Sequence, residues 1–173
     1  LRCTLVTLNS KWSSAAATRR MFLQTGVDIA AVNMDDASPA LLPEFGTTSL
    51  LAGTPFARGT DTSRKRNLGL LIARMAGWKH VVFLDDDDAF APVHIESLLE
   101  AALRGDGARV AYSATAVVEP DGKARMIIGA EFHRLHLFTG NYMQLGAVLF
   151  HRSLVAGGAR FDEGIACFED WDF

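Results

Sequence analysis

Residues 80–92 read HVVFLDDDDAFAP. The first five are almost continuously apolar, the pattern of a parallel strand buried on both faces. Four aspartates, Asp85 to Asp88, follow without a spacer. Pro92 then opens a helix that carries Ile95, Leu98, Leu99 and Ala102 on one face and ends near Gly105. A buried strand, an acidic turn and an amphipathic helix in that order form half of a βα repeat.

The same alternation extends upstream. Residues 3–8 (CTLVTL) are β-rich, and Ser13 and Ser14 are N-cap candidates for a helix over 15–24, with Gly26 at its stop. Residues 28–34 (DIAAVNM) form a second strand-like run that ends in a turn over 35–39, so the opening reads strand–helix–strand. Residues 40–60 show no clean period, and a short strand is expected at 49–52. Thr62 caps a helix over 63–76, with Leu68, Leu71, Ile72 and Met75 as one apolar face and Gly77 at its end. Downstream, residues 109–118 and 123–128 flank Pro120-Asp121-Gly122, a hairpin signal. Residues 146–150 are a further strand, and 161–163 are a loop before a final helix. This order predicts an α/β fold with a mostly parallel central sheet and helices on both faces, turning mixed toward the late hairpin. With no internal repeat or linker, a single domain over residues 1–173 is expected. Residues 169–173 stop inside the start of a helix and the first residue is not Met, so the chain reads as an excerpt whose C-terminal part is missing.

Composition narrows the function classes. The chain is 49% hydrophobic and 21% charged, ordinary for a globular protein. Its net charge of −3 lacks the basic excess of a general nucleic-acid binder, so no nucleic-acid partner is expected. No apolar run approaches the ~18 residues that span a bilayer, and no leader is visible. Cys3 and Cys167, far apart in sequence, suit free thiols in a reducing compartment, which predicts a cytoplasmic location, including peripheral attachment at the inner face of the membrane.

In open α/β sheets ligands bind outside the carboxyl ends of the strands, and two acidic clusters fall there: Asp35-Asp36 and Asp85–Asp88. Four adjacent carboxylates repel one another, and Mg²⁺ or Mn²⁺, which prefer oxygen ligands, would relieve the conflict. The bland alternative is a solvated acidic turn. Arg64-Lys65-Arg66 lie in the first turns of a helix, where cations are disfavoured unless an anion sits there. A phosphate-bearing ligand or an exposed basic face both account for them. Asp36 reads equally as a turn former or as an acceptor for a nucleobase N–H. Glu169 and Asp170 sit where helix-start acids are favoured anyway. His133, His136 and His151 fit no zinc spacing and read as ordinary surface or core residues.

Taken together, VNMDDASP (32–39), Arg66-Asn67-Leu68-Gly69, FLDDDDAFAP (83–92) and GGARFDEGIACFEDWDF (157–173) resemble the family-2 glycosyltransferases, in their order and over nearly the whole chain. The Gln24-Thr25 pair is similar to the end of that family's first helix. The resemblance implies a GT-A-like nucleotide-diphospho-sugar transferase fold. It implies inverting transfer of a sugar from a nucleoside-diphosphate sugar, UDP-linked donors among them, to the hydroxyl of a glycan, a lipid-linked or another acceptor, with Mn²⁺ or Mg²⁺ as cofactor. By the same resemblance Asp36 and Thr7 line the nucleobase site, and Arg66 meets the diphosphate. Asp85 and Asp87 hold the metal, Asp86 faces the donor sugar or ribose, and Asp170 is the catalytic base with Glu169 beside it. Ala37 stands where the family usually has Gly.

Three other functions share parts of this pattern. A haloacid-dehalogenase-type phosphatase also places Asp-x-Asp after a strand, but expects Thr or Val where Ala89 stands. A nucleotidyltransferase asks for a Gly-rich loop after the first strand, and residues 10–17 (SKWSSAAA) contain no Gly. A non-catalytic module that binds a sugar nucleotide or carbohydrate is the main alternative.

Overall fold

The computed structural model describes residues 3–11, 13–41, 45–57 and 60–165. Its opening is the expected strand–helix–strand unit. β1 (Leu5–Asn9) is followed by α1 (Ala15–Leu23) and β2 (Ile29–Asn33), and the two strands pair in parallel, from Leu5 opposite Ile29 to Asn9 opposite Asn33. Ser14 is extended, and its hydroxyl accepts from the Ala17 N–H, which starts α1 where the sequence placed it. Gly26, at φ 74°, turns the chain toward β2.

α2 (Gly46–Leu51) occupies the stretch where a short strand is expected from the sequence. A brief apolar run fits a strand or a helical turn equally well, and periodicity does not separate them. α3 (Thr62–Met75) forms as the sequence predicts, but its buried face is rotated. Ser63, Arg66, Asn67, Leu68, Leu70 and Ala73 are buried, whereas Met75 is 78% exposed. Counting only apolar residues hides a stripe that is partly polar. At its end the Trp78 N–H donates to the Ala73 carbonyl and the Gly77 N–H to that of Arg74, with Gly77 at φ 70°. That double closure is the usual glycine stop of a helix.

Then come β3 (His80–Val82), α4 (His94–Arg104), β4 (Val110–Tyr112), β5 (Thr115–Val118), β6 (Ala124–Ile128), β7 (Val148–His151) and α5 (Arg152–Ala156). The mostly parallel central sheet expected from the sequence does not form. The structure is mixed α/β, and among the described residues it has one parallel pair, β1–β2, an antiparallel sheet in the order β3–β7–β4, and the antiparallel hairpin β5–β6. An apolar run reports burial, not the direction of the neighbouring strand. The strand beside β3 is β7, which returns from far along the chain with Val148, Leu149 and Phe150 all buried. The run 109–118 also divides, its first part pairing with β7 and its second with β6.

The described residues fall into two compact units, one of residues up to 72 together with 161–165, the other of 73–160. In the second, Leu98 and Ala102 of α4 pack on Ala111 and Leu149, with Val82 against them, so the predicted face of α4 is the one buried. In the first, Ala15, Ala31, Met34, Leu68, Leu70 and Phe161 are buried, and Phe161 is fully enclosed.

Candidate active site

In the first unit the carboxyl ends of β1 and β2 are laced together by two asparagines. Asn9, 5% exposed, donates to the Thr7 hydroxyl (3.2 Å) and the Val32 carbonyl (3.3 Å). Its Oδ1 accepts from Thr18 at 2.7 Å and Ser13 at 3.1 Å. Asn33, its partner in register, accepts from the Ala15 N–H at 2.7 Å and donates to Oδ2 of Asp36 at 2.9 Å. Thr7 and Asp36 are thus tied to the same pair of strands, Thr7 through Asn9 and the exposed Asp36 through Asn33. Asn33 lies inside the quoted stretch 32–39, but the sequence assigns neither asparagine a role in the site. The available signal was that both predicted strands end near an Asn.

The basic start of α3 is less unusual than its sequence suggests. Lys65 pairs with Asp61 at 3.6 Å, one turn earlier. Burial alone would raise the Asp61 carboxyl. The hydrogen bond from Ser10, the Lys65 charge, its own backbone N–H and the Lys11 charge outweigh it and hold the group below the ordinary carboxylate range. Arg66 is buried, with its guanidinium 5.5 Å from the centre of the Phe161 ring. Asn67, 1% exposed, clamps the same segment. Its Oδ1 accepts from the Phe161 N–H (2.9 Å), and its Nδ2 donates to the Phe161 carbonyl (2.8 Å) and to Glu163 (3.0 Å). Asp162 accepts from Thr47 at 2.6 Å and from the Gly164 N–H at 2.7 Å. The loop expected at 161–163 is thus fastened residue by residue to α2 and α3.

In the second unit Asp85–Asp88 follow β3 as an exposed turn, closed by the Asp88 N–H donating to the Asp85 carbonyl at 3.2 Å. Partial burial, then the charges of Asp87 and Asp85, push the Asp88 carboxyl above its ordinary value. The turn faces Gly146 at the start of the β7 segment, where a Cβ would stand 3.5 Å from the Asp88 carboxylate. The His94 ring, stacked on Phe90 at 4.7 Å, places Nε2 3.3 Å from the Gly146 carbonyl. Among the described residues no group of three or more His, Cys, Asp or Glu side chains is arranged to hold a metal ion unaided.

Thr7, Asp36 and Arg66 thus belong to the first unit and Asp85–Asp88 to the second, on separate sheets rather than on one sheet edge. Glu169 and Asp170 lie outside the described residues, as do Cys167 and Trp171. His133 and His136 sit in an exposed loop with their rings 4.3 Å apart, and His151 accepts from the Ser153 N–H at the start of α5. No helix among the described residues is long and apolar enough to cross a membrane. No protein-family model, curated protein or solved structure matches the chain.

Proposed function

We propose that the chain is the catalytic region of an inverting glycosyltransferase on a GT-A-like fold. It would move a sugar from a nucleoside-diphosphate sugar to an acceptor hydroxyl. The observation that carries this reading is the acidic turn after β3. Four consecutive carboxylates stand exposed beyond a strand end, with Asp88 against the side-chain-free backbone of Gly146, and partial burial, followed by repulsion from Asp87 and Asp85, raises the Asp88 carboxyl. A solvated turn has no use for that repulsion, whereas a hard cation removes it.

Asp85 and Asp87 would hold Mn²⁺ or Mg²⁺. Such an ion commonly takes one or two carboxylates and fills its other positions from water and substrate phosphates. When bound, it would neutralise charge on the departing diphosphate. Asp36, oriented by Asn33, would accept from a nucleobase N–H. Arg66 would meet the diphosphate, and Asp86 the donor sugar or ribose. Asp170 would take the proton of the acceptor hydroxyl, with Glu169 beside it. Inversion in one displacement needs only that single base.

Calorimetry with nucleoside diphosphates tests the reading. Binding is expected with Mn²⁺ and lost in EDTA, and Asp87→Asn should weaken the metal-dependent part at least about tenfold, the worth of one charged contact. Unchanged affinity in EDTA would remove the metal from the site.

A further inference from the structure

We propose that the end of the β3–β7–β4 sheet remote from the acidic turn is a docking surface for an anionic lipid bilayer. The register brings five basic residues there on two adjacent rungs, whose side chains take alternate faces of the sheet end, His80, His151 and Arg109 on one rung and Lys79 and Arg152 on the next. On the first rung, His80 lies opposite His151, and the His151 N–H donates to the Arg109 carbonyl at 2.8 Å. On the second, the Arg152 N–H donates to the Lys79 carbonyl at 2.8 Å. The His80 and His151 rings meet edge to face at 5.2 Å. Like charges on neighbouring strands disfavour the pairing that places them there. Lys79, Arg109 and Arg152 are exposed, and none of the five forms an ion pair among the described residues. The nearest acid along the chain, Asp106, lies in the turn before Arg109.

The six-residue path from Lys79 to Asp85 corresponds to roughly 20 Å of extended chain, so this end is distinct from the acidic one. Burial, and then the charges of His151 and Lys79, lower the proton affinity of His80, as a locally positive field requires. A soluble polyanion would need only the cations. The adjoining turn adds apolar groups: Met75 is 78% exposed and Trp78 is partly exposed. Arg152 reaches that turn, its guanidinium donating to the Gly77 carbonyl at 3.4 Å. Cations beside an exposed methionine and an interfacial tryptophan match a headgroup layer over acyl chains. The net charge of −3 argues against general polyanion binding. This inference does not depend on the proposed enzymatic activity.

The test is co-sedimentation of the full chain with vesicles of phosphatidylcholine alone or with added phosphatidylglycerol, at ~0.1 M salt. Binding is expected only to the anionic vesicles. It should weaken about fivefold for Lys79→Gln and on the order of a hundredfold for the triple variant Lys79→Gln, Arg109→Gln, Arg152→Gln. Circular dichroism checks that the triple variant is folded. Lys79→Gln alone keeps the test open if it is not, because the exposed Lys79 side chain makes no hydrogen bond among the described residues. Arg104→Gln and Arg125→Gln, exposed cations paired with Glu100 and Glu119, should bind as the unaltered chain does. Met75→Ser should weaken vesicle binding several-fold and leave binding to soluble polyphosphate unchanged. No binding to anionic vesicles would overturn the proposal, as would equal losses in the two control variants. Polyphosphate binding as tight as vesicle binding and indifferent to Met75→Ser would replace the bilayer with a soluble polyanion.

Discussion

Asn67 joins α3 to residues 161–163 through three hydrogen bonds, two of them to the backbone of one residue, Phe161. The two bonds to Phe161 are buried, with Asn67 1% exposed, so solvent cannot replace them without opening the packing, and the bond to Glu163 is partly buried. Asn67→Ala should destabilise the protein by about 2–4 kcal/mol, a few buried hydrogen bonds at their usual worth, read from the urea midpoint. A loss below ~1 kcal/mol would mean that the loop relaxes onto other partners. Asp170 presents the opposite case, a residue outside the described ones whose role rests on the family resemblance. If it removes the acceptor proton, Asp170→Asn should lower kcat by about 10²–10⁴-fold and leave donor affinity nearly unchanged. The measurement is glycosyl transfer beside donor calorimetry. Parallel loss of both would make Asp170 a donor-site residue, and near-normal transfer would move the base to Glu169 or Asp172.

At the level of elements, the legible parts of the fold were those written in local chemistry. Ser14 caps α1, Gly77 closes α3, and Pro120-Asp121-Gly122 joins β5 to β6, with Gly122 at φ 83°. Each is settled within a few residues, so the sequence carries it. The β3–β7 pairing is settled by a strand nearly seventy residues away, and the apolar run at 80–84 holds no record of its direction. The candidate site divides in the same manner. Asp36 and Asp85–Asp88 were visible as strand-end acids, whereas Asn33, Asn67 and Gly146 gain their importance from partners distant in sequence. Gly164 makes the point testable. A Cβ there would lie 2.7 Å from the Thr47 carbonyl carbon and the Thr48 nitrogen, backbone atoms of α2 that cannot swing aside. Gly164→Ala should cost about 1–3 kcal/mol by the overpacking it forces. Gly140→Ala, where nothing lies within 4 Å, should be close to neutral in the same thermal melts. Equal melting temperatures for the two variants would show that α2 and the 161–165 loop separate freely.

On the scale of the whole molecule, charge is sorted rather than spread. The second unit carries an acidic turn beyond one end of its three-stranded sheet and basic rungs at the other. Near neutral pH the five histidines leave the net charge at −3, and protonating all of them reverses its sign. One of those protons is resisted by the fold. Burial, the His151 ring and the Lys79 charge hold the His80 imidazole below its ordinary value of 6.5. Unfolding frees that ring to titrate normally, so below pH 6.5 the unfolded chain binds more protons at this position than the folded one. Stability contributed by the neutral ring is therefore present above pH 6.5 and is lost as the pH falls through the lowered folded value. The urea midpoint at pH 5 should lie below that at pH 7.5, and His80→Gln should reduce the difference by less than about 1 kcal/mol, the scale of a partly exposed charge interaction. Lys79 supplies part of the field that opposes the proton, so Lys79→Gln should also narrow the gap. If His80→Gln leaves the pH 5 and pH 7.5 midpoints as far apart as in the unaltered chain, the acid sensitivity belongs to another histidine and the basic rungs place no measurable strain on the sheet.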